Sequence, residues 1–136
     1  MSEAVHRGGC LCGAVRYEAR GAGRHQVFCH CATCRRAAGA SPVAWVTFDA
    51  DSFRVTKGEL ARFRSSERVQ RGFCRDCGTA LTYAHARRPA DLDVTTASLD
   101  DPAAFPPKRH ILLADRVDWA PLADGLPQFR RWGAAT

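Results

Sequence analysis

Seven cysteines in three tight groups are the feature that most restricts how this 136-residue chain can fold. The groups read Cys10-Leu-Cys12, Cys29-His-Cys31-Ala-Thr-Cys34 and Cys74-Arg-Asp-Cys77. Such spacing brings thiolates within a few ångströms of each other, as a tetrahedral Zn²⁺ site requires. Two groups supply two sulfurs each and the third supplies three. The simplest assignment is a closed four-cysteine site from Cys10, Cys12, Cys74 and Cys77, and a three-sulfur site from Cys29, Cys31 and Cys34.

The three-sulfur site leaves its fourth ligand open. A structural zinc is closed, whereas a catalytic zinc keeps a position for water or substrate. His30 is the nearest protein candidate, but side chains alternate along a strand, so His30 would point away from the face that carries Cys29 and Cys31. Three other histidines stay candidates: His25, His85 and His110. We predict two zinc ions per chain, one that holds the fold and one that is available for chemistry.

Disulfides are the main alternative for these cysteines. They need an oxidising compartment, and the odd count leaves one thiol over. Residues 1–7 include an acidic residue and no apolar run, which does not suit a signal peptide. The longest apolar stretches fall far short of the ~20 residues that cross a membrane. We therefore expect a cytoplasmic protein with reduced thiols and no membrane partner.

The formal charge of +6 resembles that of a nucleic-acid-binding protein, but it counts the cysteines as neutral. Zinc-bound cysteines are thiolates, so seven thiolates and two Zn²⁺ change the charge by −3, from +6 to +3. The sequence shows no recognition helix with a basic face. These features favour a small anionic ligand over a nucleic acid.

The hydrophobic pattern predicts a mainly β fold in one domain over residues 1–136, with small mixed or antiparallel sheets, metal sites at their ends and one short helical turn. The helical turn is predicted over 32–38, ending at Gly39. Residues 101–107 are predicted as a loop with at most one helical turn, and the tail after 121 as irregular. Strands are predicted at 14–18, 43–48 (a central strand), 53–56, 60–64, 68–73, 79–83, 92–99 and 110–113.

The motifs together resemble the glutathione-dependent formaldehyde-activating family, which also includes centromere protein V. The matching residues are Gly9-Cys10-Leu-Cys12-Gly13 with Val15 and Tyr17, Cys29-His-Cys31-Ala-Thr-Cys34-Arg-Arg36 with Gly39, Phe73-Cys74-Arg-Asp-Cys77-Gly-Thr79, His110-Ile111, Trp119 and Asp124-Gly-Leu-Pro-Gln-Phe129. The resemblance implies a β-tent fold of packed small sheets and the same partition of the cysteines. It also implies carbon–sulfur lyase activity, the reversible joining of glutathione and formaldehyde into S-hydroxymethylglutathione.

The chemistry of three thiolates suggests how such a site would act. A zinc with three thiolates is a poorer Lewis acid than one with three histidines, but it can bind a substrate thiol, keep it deprotonated and present it to an aldehyde. Arg35 or Arg36 could pair with a substrate carboxylate or simply lie on the helix surface. His30 could shuttle a proton or be structural, and Trp45 could wall the pocket or belong to the core. The alternative function is a zinc-stabilised binding module without catalysis. The physiological thiol, the aldehyde and the oligomeric state stay open.

Overall fold

Two β-sheets make up most of the computed structural model of this protein, which describes residues 3–133. One α-helix, α1, spans Ala32–Ala38, and short 3₁₀ turns lie at Ala50–Ser52, Thr96–Ser98, Pro102–Ala104 and Leu113–Asp115. The strands are β1 (Val5–Gly9), β2 (Arg16–Arg20), β3 (Arg24–Cys29), β4 (Val43–Asp49), β5 (Phe53–Lys57), β6 (Ala61–Ser66), β7 (Val69–Phe73), β8 (Ala80–His85), β9 (Asp91–Thr95) and β10 (Arg109–Ile111).

The smaller sheet has the order β1-β2-β5 and the larger has the order β10-β3-β4-β9-β8-β7-β6. Neighbouring strands are antiparallel, except that β10 pairs with β3 in parallel at the edge of the larger sheet. The predicted mainly β fold with one short helix is confirmed. The predicted central strand is also confirmed, because β4 has a partner on each side.

The main core lies between the two sheets. Val15, Tyr17 and Ala19 come from the smaller sheet and its turn, and Val46 and Phe48 come from β4. The alternate residues of β4, Trp45 and Thr47, lie on the opposite face, where they line a cavity. Both faces of β4 are therefore buried or half-enclosed, which explains why apolar residues occur on both faces of this strand.

Two strands were not predicted from the sequence. β1 ends in two glycines, which weaken any strand signal. In β3 the register with β4 shifts between Arg24 and Val27, and His25 in that interval has a φ of +51°. A bulge of this kind breaks the alternation on which strand prediction depends. The predicted strand over 92–99 ends at Thr95, because a 3₁₀ turn follows.

The helix and the C-terminal tail follow the prediction. Gly39 ends α1 in the left-handed conformation, with a φ of +64°. Residues 121–133 are irregular and run beside β10, where the His110 amide donates to the Pro127 carbonyl. The first two and last three residues of the chain lie outside the described residues. Within residues 3–133, no helix has both the length and the apolar character needed to cross a membrane.

Candidate active site

The four cysteines of the closed cluster lie in two hairpin turns. Cys10 and Cys12 belong to the turn between β1 and β2, and Cys74 and Cys77 to the turn between β7 and β8. The four sulfurs lie within 4.8 Å of one another, and the Cys12 sulfur is 3.7 Å from that of Cys10 and 3.8 Å from that of Cys74. A tetrahedral site with Zn–S bonds of about 2.3 Å has S–S edges of about 3.8 Å. The donor set therefore fits a closed zinc site that joins the two sheets.

Backbone hydrogen bonds hold the two turns in nearly equivalent shapes. Gly13 and Gly78 have φ values of +79° and +80°, which favour glycine. Each donates its amide to the carbonyl of the first cysteine of its pair, at 3.2 Å to Cys10 and 2.8 Å to Cys74. The Leu11 amide donates to the Thr79 hydroxyl across the two turns at 3.0 Å. The four sulfurs are thus positioned by the protein itself.

The three-cysteine cluster lies where β3 passes into α1. Cys29 is the last residue of β3, Cys31 is the N-cap of α1, and Cys34 is in the first turn of that helix. Their sulfurs lie within 4.8 Å of one another. The Cys29 thiol donates to the Cys31 sulfur at 3.3 Å, and the Cys34 amide donates to the same sulfur at 3.3 Å. A strand end and a helix start therefore converge on one three-sulfur set.

The three sulfurs of this cluster differ in pKa. Hydrogen bonds from Cys29 and then Cys34 hold the pKa of Cys31 far below its usual range. The pKa of Cys29 is raised instead, first because its thiol donates to Cys31 and then through Cys34 and burial. Three sulfurs this close cannot all be ionised without a cation among them. The cluster thus suits a divalent metal that replaces the remaining protons.

All three of these cysteines line a cavity of about 670 Å³. It lies on the face of the larger sheet that points away from the core, and its size is typical of small-molecule sites, about 300–1,000 Å³. None of the four closed-cluster cysteines lines it. Its apolar wall is formed by Val27, Trp45, Tyr83 and Ile111.

Charged side chains surround the rest of the cavity. Two carboxylates, Asp91 and Asp93, are both bound by Arg88, at 3.2 Å and 2.9 Å. The other basic residues along the cavity are His25, Arg71, His85, Arg87 and Arg109. Cationic side chains thus outnumber carboxylates, which suits an anionic ligand.

His30 does not join the three sulfurs. Its side chain is fully buried, and its Nε2 lies 2.8 Å from Nδ1 of His110, whose Nε2 lies 2.9 Å from the Asp124 carboxylate. His30 is not among the cavity-lining residues, so it has the orientation that strand alternation indicates. Among residues 3–133, no histidine nitrogen completes the three-sulfur group.

The other predicted residues are divided between the cavity and its surroundings. Trp45 lines the cavity and packs in an apolar cluster with Val27 and Ile111, which line it too. Arg35 and Arg36 do not line it.

Arg71 was not predicted as a site residue. It projects from β7, and its guanidinium contacts the Cys34 sulfur. The alternation of β7 could have indicated its burial, since Arg71 lies on the same face of the strand as Val69, which is buried, and Phe73, which is half-buried.

Purified without chelator, the protein is expected to contain two zinc ions per chain. Four sulfurs close one site and three sulfurs hold the other. Partial loss is expected from the three-sulfur site alone, because it has one protein ligand fewer. Inductively coupled plasma mass spectrometry, normalised to protein by amino-acid analysis, gives the count. A stoichiometry near one in wild type and unchanged in Cys31→Ser would contradict the partition.

The chain is similar to known proteins in sequence and in fold. The family model for glutathione-dependent formaldehyde-activating enzyme matches residues 5–115, a range that includes all seven cysteines. The chain belongs to this family.

Relatives of this family member extend the comparison. A Halomonas elongata protein, whose name assigns it provisionally as a glutathione-dependent formaldehyde-activating enzyme, is 30% identical over 121 residues, covering 82% of this chain and 77% of that protein. An uncharacterized lyase of Schizosaccharomyces pombe is 32% identical over 81 residues, 59% of this chain and 58% of its own. A crystal structure of a Rhodobacter sphaeroides protein shares the fold, with a TM-score of 0.56 and 21% identity over 90% of this chain and 98% of that one.

Proposed function

We propose that this protein is a zinc-dependent carbon–sulfur lyase that acts on a thiol–aldehyde adduct such as S-hydroxymethylglutathione. The observation that carries the proposal is the three-sulfur cluster of Cys29, Cys31 and Cys34, which faces a ligand-sized cavity. The family name supports glutathione and formaldehyde as the thiol and the aldehyde.

The reaction needs no oxidant or reductant. In the synthetic direction the thiol sulfur adds to the aldehyde carbon, one C–S bond forms, the C=O π bond opens, and the thiol proton ends on the oxygen. Cleavage reverses each of these changes. A zinc held by Cys29, Cys31 and Cys34 would supply a fourth position at which the substrate sulfur is stabilised as a thiolate.

The chain's own residues bind and orient the adduct. The cationic side chains of the cavity can pair with the carboxylates of a thiol such as glutathione. Tyr83 lines the same cavity, and burial raises the pKa of its hydroxyl, so the hydroxyl stays protonated at neutral pH and can donate a hydrogen bond to the aldehyde oxygen. Trp45 and Val27 belong to the apolar wall, against which the carbon atoms of the adduct can pack.

The alternative of a non-catalytic binding module requires the second metal site to be closed by the protein. The histidines considered for that role do not complete the cluster in the described part of the chain. The orientation of His30 toward His110 removes the nearest of them. The open cluster therefore favours the lyase over the binding module.

Glutathione is expected to bind at least tenfold more tightly than S-methylglutathione. The thioether keeps every carboxylate contact but cannot become a thiolate, and tenfold corresponds to about 1.4 kcal/mol. The binding of glutathione should strengthen as pH rises toward the thiol's own pKa, about 8.5, because the bound form has lost its proton. Calorimetry with both ligands at several pH values measures these differences.

Cys34→Ser serves as the matched variant in the same titrations and should lose the preference for the thiol. The lyase step is followed separately, as the rate of exchange between glutathione-bound and free formaldehyde in NMR exchange spectra. Equal affinity for thiol and thioether in the zinc-loaded wild type, or exchange no faster than without protein, would defeat the proposal.

A further inference from the structure

Arg71 is a buried cation in direct contact with the three-cysteine cluster. Only 8% of the residue is exposed, although it projects from β7 into the cavity wall. Its Nε donates to the Ser65 hydroxyl at 3.1 Å, and one terminal nitrogen donates to the Thr33 hydroxyl at 3.2 Å. Both terminal nitrogens contact the Cys34 sulfur, at 3.6 Å and 3.7 Å. The guanidinium is thus fixed at three points around one sulfur.

The charge of this guanidinium needs a compensating anion, because burying an unpaired charge is costly. The hydrogen-bond partners of Arg71 among residues 3–133 are two hydroxyls and the Cys34 sulfur, with no carboxylate among them. Its guanidinium also lies 5.0 Å from the centre of the Tyr83 ring, a favourable but weak contact. The compensating anion is therefore the thiolate cluster itself.

The closed cluster has donors of a different kind. Its sulfurs have neutral partners: the Val15 amide donates to the Cys10 sulfur at 3.2 Å, and the Thr79 hydroxyl lies 3.2 Å from the Cys77 sulfur. Among residues 3–133, a cationic side chain thus donates to a sulfur of the cluster that faces the cavity, whereas none donates to the sulfurs of the cluster that joins the sheets. This difference indicates a role for Arg71 in ligand binding rather than in metal retention alone.

We propose that Arg71 is a positioning residue that holds Cys34 and supplies the positive charge that lets this site accept an anionic fourth ligand. A divalent metal with three thiolates has a charge of −1, and a fourth thiolate brings it to −2. The adjacent guanidinium offsets one of these negative charges, and its own burial limits the screening of that interaction by water. Hydrogen bonds of this kind around a metal site also orient its ligands. The inference rests on the proposed function in taking the fourth ligand to be a substrate thiolate.

Arg71→Gln and Arg71→Lys separate charge from hydrogen bonding. The probe is 2-mercaptoethanol, which has no carboxylate, so that pairing of Arg71 with a substrate carboxylate cannot contribute. Cobalt-loaded protein is titrated with it, and the change in sulfur-to-cobalt charge-transfer absorption gives the Kd. Arg71→Gln is expected to weaken thiol binding at least tenfold, and Arg71→Lys to restore most of that loss. Arg62→Met, on the neighbouring strand β6 and exposed, is the matched control and should bind as wild type does.

The cobalt titration distinguishes failure of the role proposed for Arg71 from failure of the proposed function. Binding by Arg71→Gln within twofold of wild type would overturn the role of Arg71 while leaving the proposed function intact. Absence of thiol binding in wild type would defeat the proposed function and the charge role together. In that case, the proposal that Arg71 holds Cys34 in place is tested by the affinity of the protein for cobalt. If Arg71 holds Cys34, Arg71→Gln binds cobalt more weakly than wild type does, and Arg62→Met binds it equally well.

A second variant covers failure of Arg71→Gln to fold, which thermal melts would reveal. Ser65→Ala keeps the charge and removes the hydroxyl that anchors the Arg71 Nε. It is expected to weaken the binding of 2-mercaptoethanol about threefold by loosening the guanidinium. Unchanged affinity in Ser65→Ala would then count against positioning by Arg71.

Discussion

A Cys10→Ser protein is expected to be largely unfolded at 25 °C. Its cluster joins the β1–β2 turn to the β7–β8 turn, so losing one ligand releases the metal link between the two sheets. Structural zinc contributes about 10–16 kcal/mol to folding in zinc-finger peptides at pH 7, whereas whole domains have net stabilities of only about 5–15 kcal/mol. Half of the metal contribution, about 5–8 kcal/mol, therefore equals the whole net stability of a domain in the lower part of that range. Thermal melts followed by circular dichroism measure the effect.

Cys31→Ser is the control for that experiment. It should lose the second metal yet keep a cooperative melt, because the core between the sheets does not depend on the three-cysteine cluster. Wild type stripped of metal by a chelator should resemble Cys10→Ser. A Cys31→Ser protein that is less stable than Cys10→Ser would mean that the two clusters have exchanged roles.

Substitution of Cys31 by serine is expected to abolish catalysis. Under the proposed function, Cys31→Ser should lower the rate of exchange between glutathione and formaldehyde to that measured without protein. Cys31 accepts hydrogen bonds from both the Cys29 thiol and the Cys34 amide, so it lies at the centre of the ligand set. Serine at this position would leave two sulfurs and a much weaker metal site.

This activity measurement needs protein that is folded and still loaded at the closed cluster. Metal analysis should give one zinc per chain for Cys31→Ser, with a melt close to that of wild type. Arg62→Met provides the comparison for a substitution outside the cavity. Wild-type exchange rates in a Cys31→Ser protein that contains one zinc would show that the three-cysteine cluster is not the catalytic centre.

The two cysteine clusters could be predicted from sequence because the geometry within each group of cysteines is local. Residues two or three apart in a turn have their sulfurs close together in almost any fold, so the spacing of Cys74 and Cys77 alone indicates a shared metal. The same locality made the orientation of His30 predictable, since neighbours on a strand point to opposite faces. The pairing of Cys10 and Cys12 with the distant turn followed from the number of sulfurs that each group supplies.

The rest of the site depends on contacts between residues that are far apart in sequence. Arg71 lies 37 residues beyond Cys34 in the chain, and only the order of strands in the larger sheet brings the two together. Tyr83 joins them because β8 pairs with β7, where Arg71 is opposite Tyr83. Strand β3 was not predicted for a different reason: the bulge near His25 interrupts the alternation of side chains between the two faces of the strand.

The two clusters also differ in when a growing chain can supply them. The three-cysteine cluster spans six consecutive residues, so all its sulfurs are present once Cys34 has left the ribosome. The closed cluster needs Cys77 as well, and its two halves must meet across a long loop whose closure costs entropy. During synthesis, the three-cysteine cluster is therefore complete before the four-cysteine cluster. Under the roles proposed above, a zinc ion that reaches the growing chain meets the ligand-exchanging site before the site that would stabilise the fold.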